Sequence, residues 1–219
     1  MGFQLVIDGL VIERVNCIKF LGVQIDNSLN GQSHISDLCT SLRQFIGIFY
    51  KISAFTTSKV LKLLYFSLVY PKILYGIEIY ANTYQTFLHD LMILNNRILR
   101  IIQKADRTTH VAELYSSYNT LPIDKLFIQR LLLHAHAIIC KSPSIPPLFY
   151  NSVAFNNEIH DHYTRSSSDL HRASHKSVHG TKTISNLCAV HWNSLPLELK
   201  TITSPPLFKK AIISLLRTF

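Results

Sequence analysis

Lys19-Phe20-Leu21-Gly22-Val23-Gln24-Ile25-Asp26 lies near the start of the 219-residue chain, and its reading decides the rest. Its apolar residues describe a short strand interrupted by Gly22. Toward the N-terminus, Phe3 to Ile7 is a shorter apolar run, followed by Asp8-Gly9. That pair favours the positive φ angles of a type I′ turn and so predicts a β-hairpin. Toward the C-terminus the periodicity changes. Asn27 to Gly31 reads as a turn and Ser33 as a helix N-cap; Ile35, Leu38, Leu42, Phe45, Ile46, Phe49 and Ile52 then share one helical face.

Helical spacing continues down the chain. A second helix from about Ser58 carries Val60, Leu61, Leu63, Leu64, Leu68 and Val69, apolar nearly all round, which predicts burial on several sides. Pro71 is expected to kink or end it. A third helix, Thr86 to Lys104, turns Phe87, Leu91, Leu94, Ile98 and Ile101 inward, and Pro122 opens a fourth that runs to Cys140. Asn156 to Asn186 is rich in Ser, His, Thr and Lys and poor in apolar residues, which marks a polar connection. Ser204-Pro205-Pro206 begins a last amphipathic helix through Leu207, Phe208, Ile212 and Leu215. The predicted fold class is mainly α (α+β), with an N-terminal β-hairpin over 1–31, a helical bundle over 32–142, a connection over 143–186 and a C-terminal helical segment over 187–219.

Composition narrows the function classes. Hydrophobic residues make up 47% and charged residues 16%, enough for a packed core rather than a disordered chain. A net charge of +9 favours a polyanionic partner. Val60 to Tyr80 is the longest apolar region, but Lys62, Lys72, Glu78 and Pro71 within it mark a core segment, not a membrane span. Cys17, Cys39, Cys140 and Cys188 share no metal-ligand or pairing spacing and read as free thiols. Met1-Gly2-Phe3 shows no basic leader, which leads to an expected intracellular, cytoplasmic or nuclear location rather than secretion.

Four segments together resemble one family. Lys19 to Val23 resembles the Lys-Phe-Leu-Gly-Val segment of reverse transcriptases of non-LTR (LINE-like, Jockey/CR1-type) retrotransposons. Ser67-Leu68, Pro71 and Tyr75-Gly76 resemble its thumb; His160 to Arg165 resembles a later His…Thr-Arg element; and Trp192-Asn193-Ser194-Leu195-Pro196, with Ser204 and Phe208-Lys209, resembles its C-terminal signature. The resemblance implies a thumb and C-terminal region, with Lys19, Phe20, Leu21 and Gly22 forming the hairpin that grips a primer end. It implies partners too: an RNA–DNA or RNA template–primer duplex, and the palm and fingers of the same polyprotein. The paired carboxylates that hold two metals in a polymerase would precede Lys19, where only Asp8 and Glu13 are acidic. The chain is therefore expected to be non-catalytic and without cofactors, any Mg belonging to the palm.

Arg97, Arg100 and Lys104, at i, i+3 and i+7, share a helix face near Asn96, Gln103 and Arg107. Such a basic ridge with amide donors suits phosphate contacts without sequence preference; a plain solvated face is the alternative. Lys59 and Lys62 form a smaller patch with the same two readings. His171, His175 and His179 recur at i, i+4 and i+8 near His160 and His162, but no cysteine or carboxylate completes a zinc set, and a solvated polar segment is expected. Gly-x-Ser-x-Gly and phosphate-binding glycine loops are absent. A helical interaction or structural module, or a non-functional element remnant, without nucleic-acid binding, is the other reading of the chain.

Overall fold

The computed structural model describes residues 5–161 and 165–218. The chain is mainly α, preceded by two small hairpins rather than one: β1 (Leu5–Ile7) with β2 (Leu10–Ile12), and β3 (Cys17–Phe20) with β4 (Val23–Asp26), both antiparallel. In the first, Asp8 and Gly9 adopt φ 48° and 77°, the predicted type I′ geometry. The second corrects the reading of Lys19–Asp26 as a strand broken by a glycine. Leu21 and Gly22 take φ 45° and 83°, so the glycine is the second residue of a turn that pairs Phe20 with Val23. Among the described residues of these strands, Val23 and Asp26 of β4 are buried, whereas β2 and β3 are exposed along their length. The Asp26 carboxylate accepts from the Ser28 and Asn30 amides, 3.1 and 3.2 Å away, and closes the loop into the next helix.

That helix, α1 (Gln32–Ser53), buries Ile35, Leu38, Leu42, Ile46 and Phe49, as the spacing predicts. Its start differs: Gly31, at φ 69°, caps it in place of Ser33, and Asn30 Oδ1 accepts from the Gln32 amide at 2.9 Å. Its main packing partner is α5 (Gln85–Gln103).

Between them run α2 (Ser58–Leu64), a π-helical turn (Tyr65–Val69), α3 (Tyr70–Leu74) and α4 (Ile77–Tyr80). Pro71 has no amide to give a preceding carbonyl; the π turn widens the helix just before it, and the helical path continues through Pro71 rather than ending. Burial on several sides is not found. Leu61, Tyr65, Val69 and Ile73 form one buried stripe, while Val60, Leu63 and Leu68 are exposed. A strict four-residue repeat drifts around an α-helix, and the wider π turn reverses that drift and keeps the stripe on one side.

In α5 the buried arc is Leu88, Leu91, Asn95, Ile98, Leu99 and Ile102, with the predicted Phe87, Leu94 and Ile101 half-buried beside it. α6 (Val111–Ser117), absent from the sequence reading, folds back on α5; His110 Nδ1 caps it by accepting from the Ala112 amide. α7 (Ile123–Ile139) starts after Pro122, as predicted.

The region 143–186 holds a 3₁₀ turn (Pro147–Phe149), α8 (Asn156–Ile159) and α9 (Val178–Thr181); α10 (Ile184–Asn193), α11 (Leu197–Lys200) and α12 (Pro205–Thr218) follow. α10 and α12 pack on α7, and Leu170, Cys188, Trp192, Phe208 and Ile212 join the same apolar core as α1 and α5. Asn193 locks the connection in place: its carboxamide accepts from the Leu170 amide (2.8 Å) and donates to the Leu170 carbonyl (2.9 Å). Among the described residues no helix is long and apolar enough to cross a membrane.

Candidate nucleic-acid interface

The β3–β4 turn is held by a residue far along the chain. Tyr75, extended after α3, donates its hydroxyl to the Leu21 carbonyl. Its ring lies against Gly22, where a Cβ would stand 3.3 Å from Tyr75 Cε1. The next residue, Gly76, approaches so closely that a Cβ on it would be 2.9 Å from Val23 Cγ2. Leu21-Gly22-Val23 and Tyr75-Gly76 therefore interlock, and a turn with a non-glycine residue at positive φ is secured from outside. Phe20 and Leu21 remain 60% and 75% exposed at its tip.

Below the turn, Lys19, Gly22, His34, Asp37, Lys72 and Tyr75 line a cleft of about 420 Å³. Two ammonium groups face one carboxylate there. Asp37 is already engaged, Oδ2 accepting from Gln24 Nε2 at 3.2 Å, and Lys72 Nζ rests 5.7 Å from the Phe45 ring. His34 is buried; Nδ1 accepts from the Gln24 amide (3.4 Å) and the ring lies 5.0 Å from Tyr80. Burial lowers its pKa, against the Asp37 charge and with the Lys19 charge. Burial lowers His134 and His191 as well.

Each lowered value means the folded chain binds that proton less well than the unfolded chain. Stability from these histidines is complete above the ordinary histidine pKa of about 6.5 and is lost as pH falls through the folded values. Thermal unfolding followed by circular dichroism should show Tm dropping below about pH 6.5. His34→Phe, which keeps a ring beside Tyr80, should shrink that drop; an unchanged profile would exclude His34 as a contributor.

The α5 ridge is corrected by α6. Arg97 and Lys104 are exposed, but Arg100 is half-buried, with Nη2 donating to the Thr109 carbonyl at 3.4 Å. Asn96 Oδ1 accepts from the Tyr115 hydroxyl (2.7 Å), and Gln103 donates to the Leu114 carbonyl (2.8 Å) while accepting from Ser117 (2.7 Å). Gln103 is thus occupied by α6 through both amide atoms, and Asn96 is held there through its oxygen. Lys104 lies past the last helical turn, at φ 52°, rather than on the helix face. Lys62 Nζ sits 5.0 Å from the Tyr118 ring, leaving Lys59 as the open member of its patch.

Of the histidine-rich segment, His160 and His171 come together, with ring centroids 5.5 Å apart, and His171 Nδ1 lies 3.2 Å from Asn156 Oδ1. His162, Tyr163 and Thr164 of the His…Thr-Arg element lie outside the described residues. Among the described residues no three His, Cys, Asp or Glu side chains are placed to hold a metal ion. Trp192 is buried against His136 and Phe208 and anchors the core.

The sequence reading missed Lys72 and His34 as neighbours of Lys19. Tyr75 carried a signal, since it belongs to the Tyr75-Gly76 pair; a lone histidine on an apolar helix face carried none. Comparison with family models, curated proteins and solved structures finds no match to this chain.

Proposed function

We propose that this chain is a non-catalytic, backbone-gripping region of the kind that follows the palm in non-LTR retrotransposon reverse transcriptases, and that it contacts a template–primer duplex within an intact enzyme. The observation that carries this reading is the interlocking of Leu21-Gly22-Val23 with Tyr75-Gly76. Two segments that each resemble the family stand in one contact, with Lys19 and Lys72 in the cleft beneath it. Ammonium groups there suit phosphates without regard to base sequence. Arg97, Lys104 and Lys59 add exposed positive charge. The metal chemistry of polymerisation would come from another part of the enzyme.

Filter binding of an RNA–DNA hybrid tests the reading. Affinity should fall linearly on a log–log plot against salt, with a slope that shrinks by about 0.9 for each phosphate contact removed. Lys19→Glu with Lys72→Glu should weaken binding by about tenfold or more and flatten the slope. Wild-type affinity in that double variant, or binding indifferent to salt, would sink the proposal.

A protein-interaction role is favoured by a separate observation. Val6, Leu10, Val11, Ile18 and Phe20 are all more than half exposed. A two-stranded hairpin with no covered face is only marginally stable alone. Light scattering separates the two: a monomer that binds hybrid supports the first reading, and an oligomer blind to nucleic acid the second.

A further inference from the structure

A second cavity, of about 270 Å³, lies between α3, the α6–α7 connection, α7 and α12. Its chemistry is one-sided. Arg130 and Lys209 reach it from α7 and α12, and no carboxylate lines it. The nearest counter-charge, Glu78, meets Arg130 only at 3.8 Å, with both side chains more than a third exposed, which leaves the guanidinium available. Gln129 is the second sign. It is 5% exposed, faces this cavity, and its carboxamide makes no hydrogen bond among the described residues. Its amide atoms are open to the cavity rather than sealed off, so a ligand there can reach them. Tyr70 adds a hydroxyl at the edge, next to Thr120, with the positive charge of Arg130 nearby. Leu121, Leu126 and Ile213 form an apolar wall.

The geometry points to a binding site for a small phosphorylated molecule in this cavity. Arg130 and Lys209 meet the anionic oxygens, the Gln129 carboxamide and the Tyr70 hydroxyl donate to them, and the apolar wall takes the rest of the ligand. A phosphate monoester matches this set better than a carboxylate does. It carries close to two negative charges and three acceptor oxygens, against one charge and two oxygens. The cavity also has room for more than bare phosphate, since a water occupies only about 30 Å³ of liquid.

Isothermal titration of the full chain with inorganic phosphate, at constant ionic strength maintained with chloride, tests the site. Saturable binding is expected, at least about tenfold weaker in Lys209→Met and in Gln129→Leu. Gln129→Leu also separates a ligand-binding amide from a structural one. It should leave Tm close to the wild-type value, because the amide makes no hydrogen bond to the protein, while phosphate binding falls. Absent binding in the wild type, equal binding in both variants, or a lower Tm for Gln129→Leu with phosphate affinity retained would overturn the assignment. Displacement of phosphate by added RNA–DNA hybrid would identify a backbone phosphate as the occupant, and phosphate retained beside bound hybrid a free phosphorylated molecule.

Discussion

Gly31→Ala should lower folding stability by about 2–4 kcal/mol, measured as a shift of the urea midpoint at unchanged slope. Two costs combine. Gly31 begins α1 at φ 69°, a left-handed conformation that penalises a Cβ by about 1 kcal/mol. The added Cβ would also stand 2.7 Å from the Tyr80 carbonyl oxygen and 3.1 Å from Tyr80 Cα. Those are backbone atoms at the end of α4, and they have little room to retreat. The Tyr80 side chain is 1% exposed and its hydroxyl donates to the Ile73 carbonyl. The close approach therefore joins the start of α1 to the end of α4 with no intervening side chain. A loss under about 1 kcal/mol would show that this backbone yields. Gly47, on the exposed face of α1 with nothing within 4 Å of a built Cβ, is the internal control. Gly47→Ala should stabilise by about 0.5–1 kcal/mol, because the helix there favours alanine and nothing obstructs it.

Asn95→Ala should cost about 2–4 kcal/mol through a different mechanism. Asn95 is 1% exposed at the centre of the α5 arc. Its Oδ1 accepts from the Tyr65 hydroxyl at 3.1 Å, and its Nδ2 donates to the Tyr115 hydroxyl at 3.0 Å. Truncation strands Tyr65, whereas Tyr115 keeps its bond to Asn96, and it leaves a void besides. Tyr65→Phe alone should cost only about 1 kcal/mol, and far less in the Asn95→Ala background. Additive losses would show that the three groups do not act as one network. Burial holds the Tyr65 and Tyr115 hydroxyls well above the ordinary phenol pKa, so both remain donors at neutral pH. Burial likewise pushes the Cys188 thiol up to about 12. Groups raised in this way stabilise fully below their unfolded pKa values and lose that contribution as pH climbs through the folded ones.

The candidate interface was legible only in part. Lys19 with Leu21-Gly22, and Tyr75-Gly76, are marked by resemblance. Their contact is not, because no local pattern says that a tyrosine hydroxyl will reach a carbonyl in a distant turn. The α5 ridge is narrower than its spacing suggests, for the same reason in reverse. Arg97, Arg100 and Lys104 have the spacing of a shared face, but Asn96, Arg100 and Gln103 take partners on α6 and the loop before it. Spacing defines a helix face; what covers it depends on another element.

The sequence by itself determined the features that act over a few residues. These are the positive-φ turn at Asp8-Gly9, the apolar stripe of α1 and the helices opened by Pro122 and Pro205, hence the mainly α class. Steric limits on φ and ψ, together with side-chain periodicity, suffice for these. Only the tertiary structure decided which arc of α5 is buried, that Leu63 and Leu68 face outward, that the β3–β4 turn docks on Tyr75, and that the 143–186 region joins the main core. Each of these is settled by competition among separate elements for apolar contact and for hydrogen-bond partners. That competition is resolved only when the elements meet.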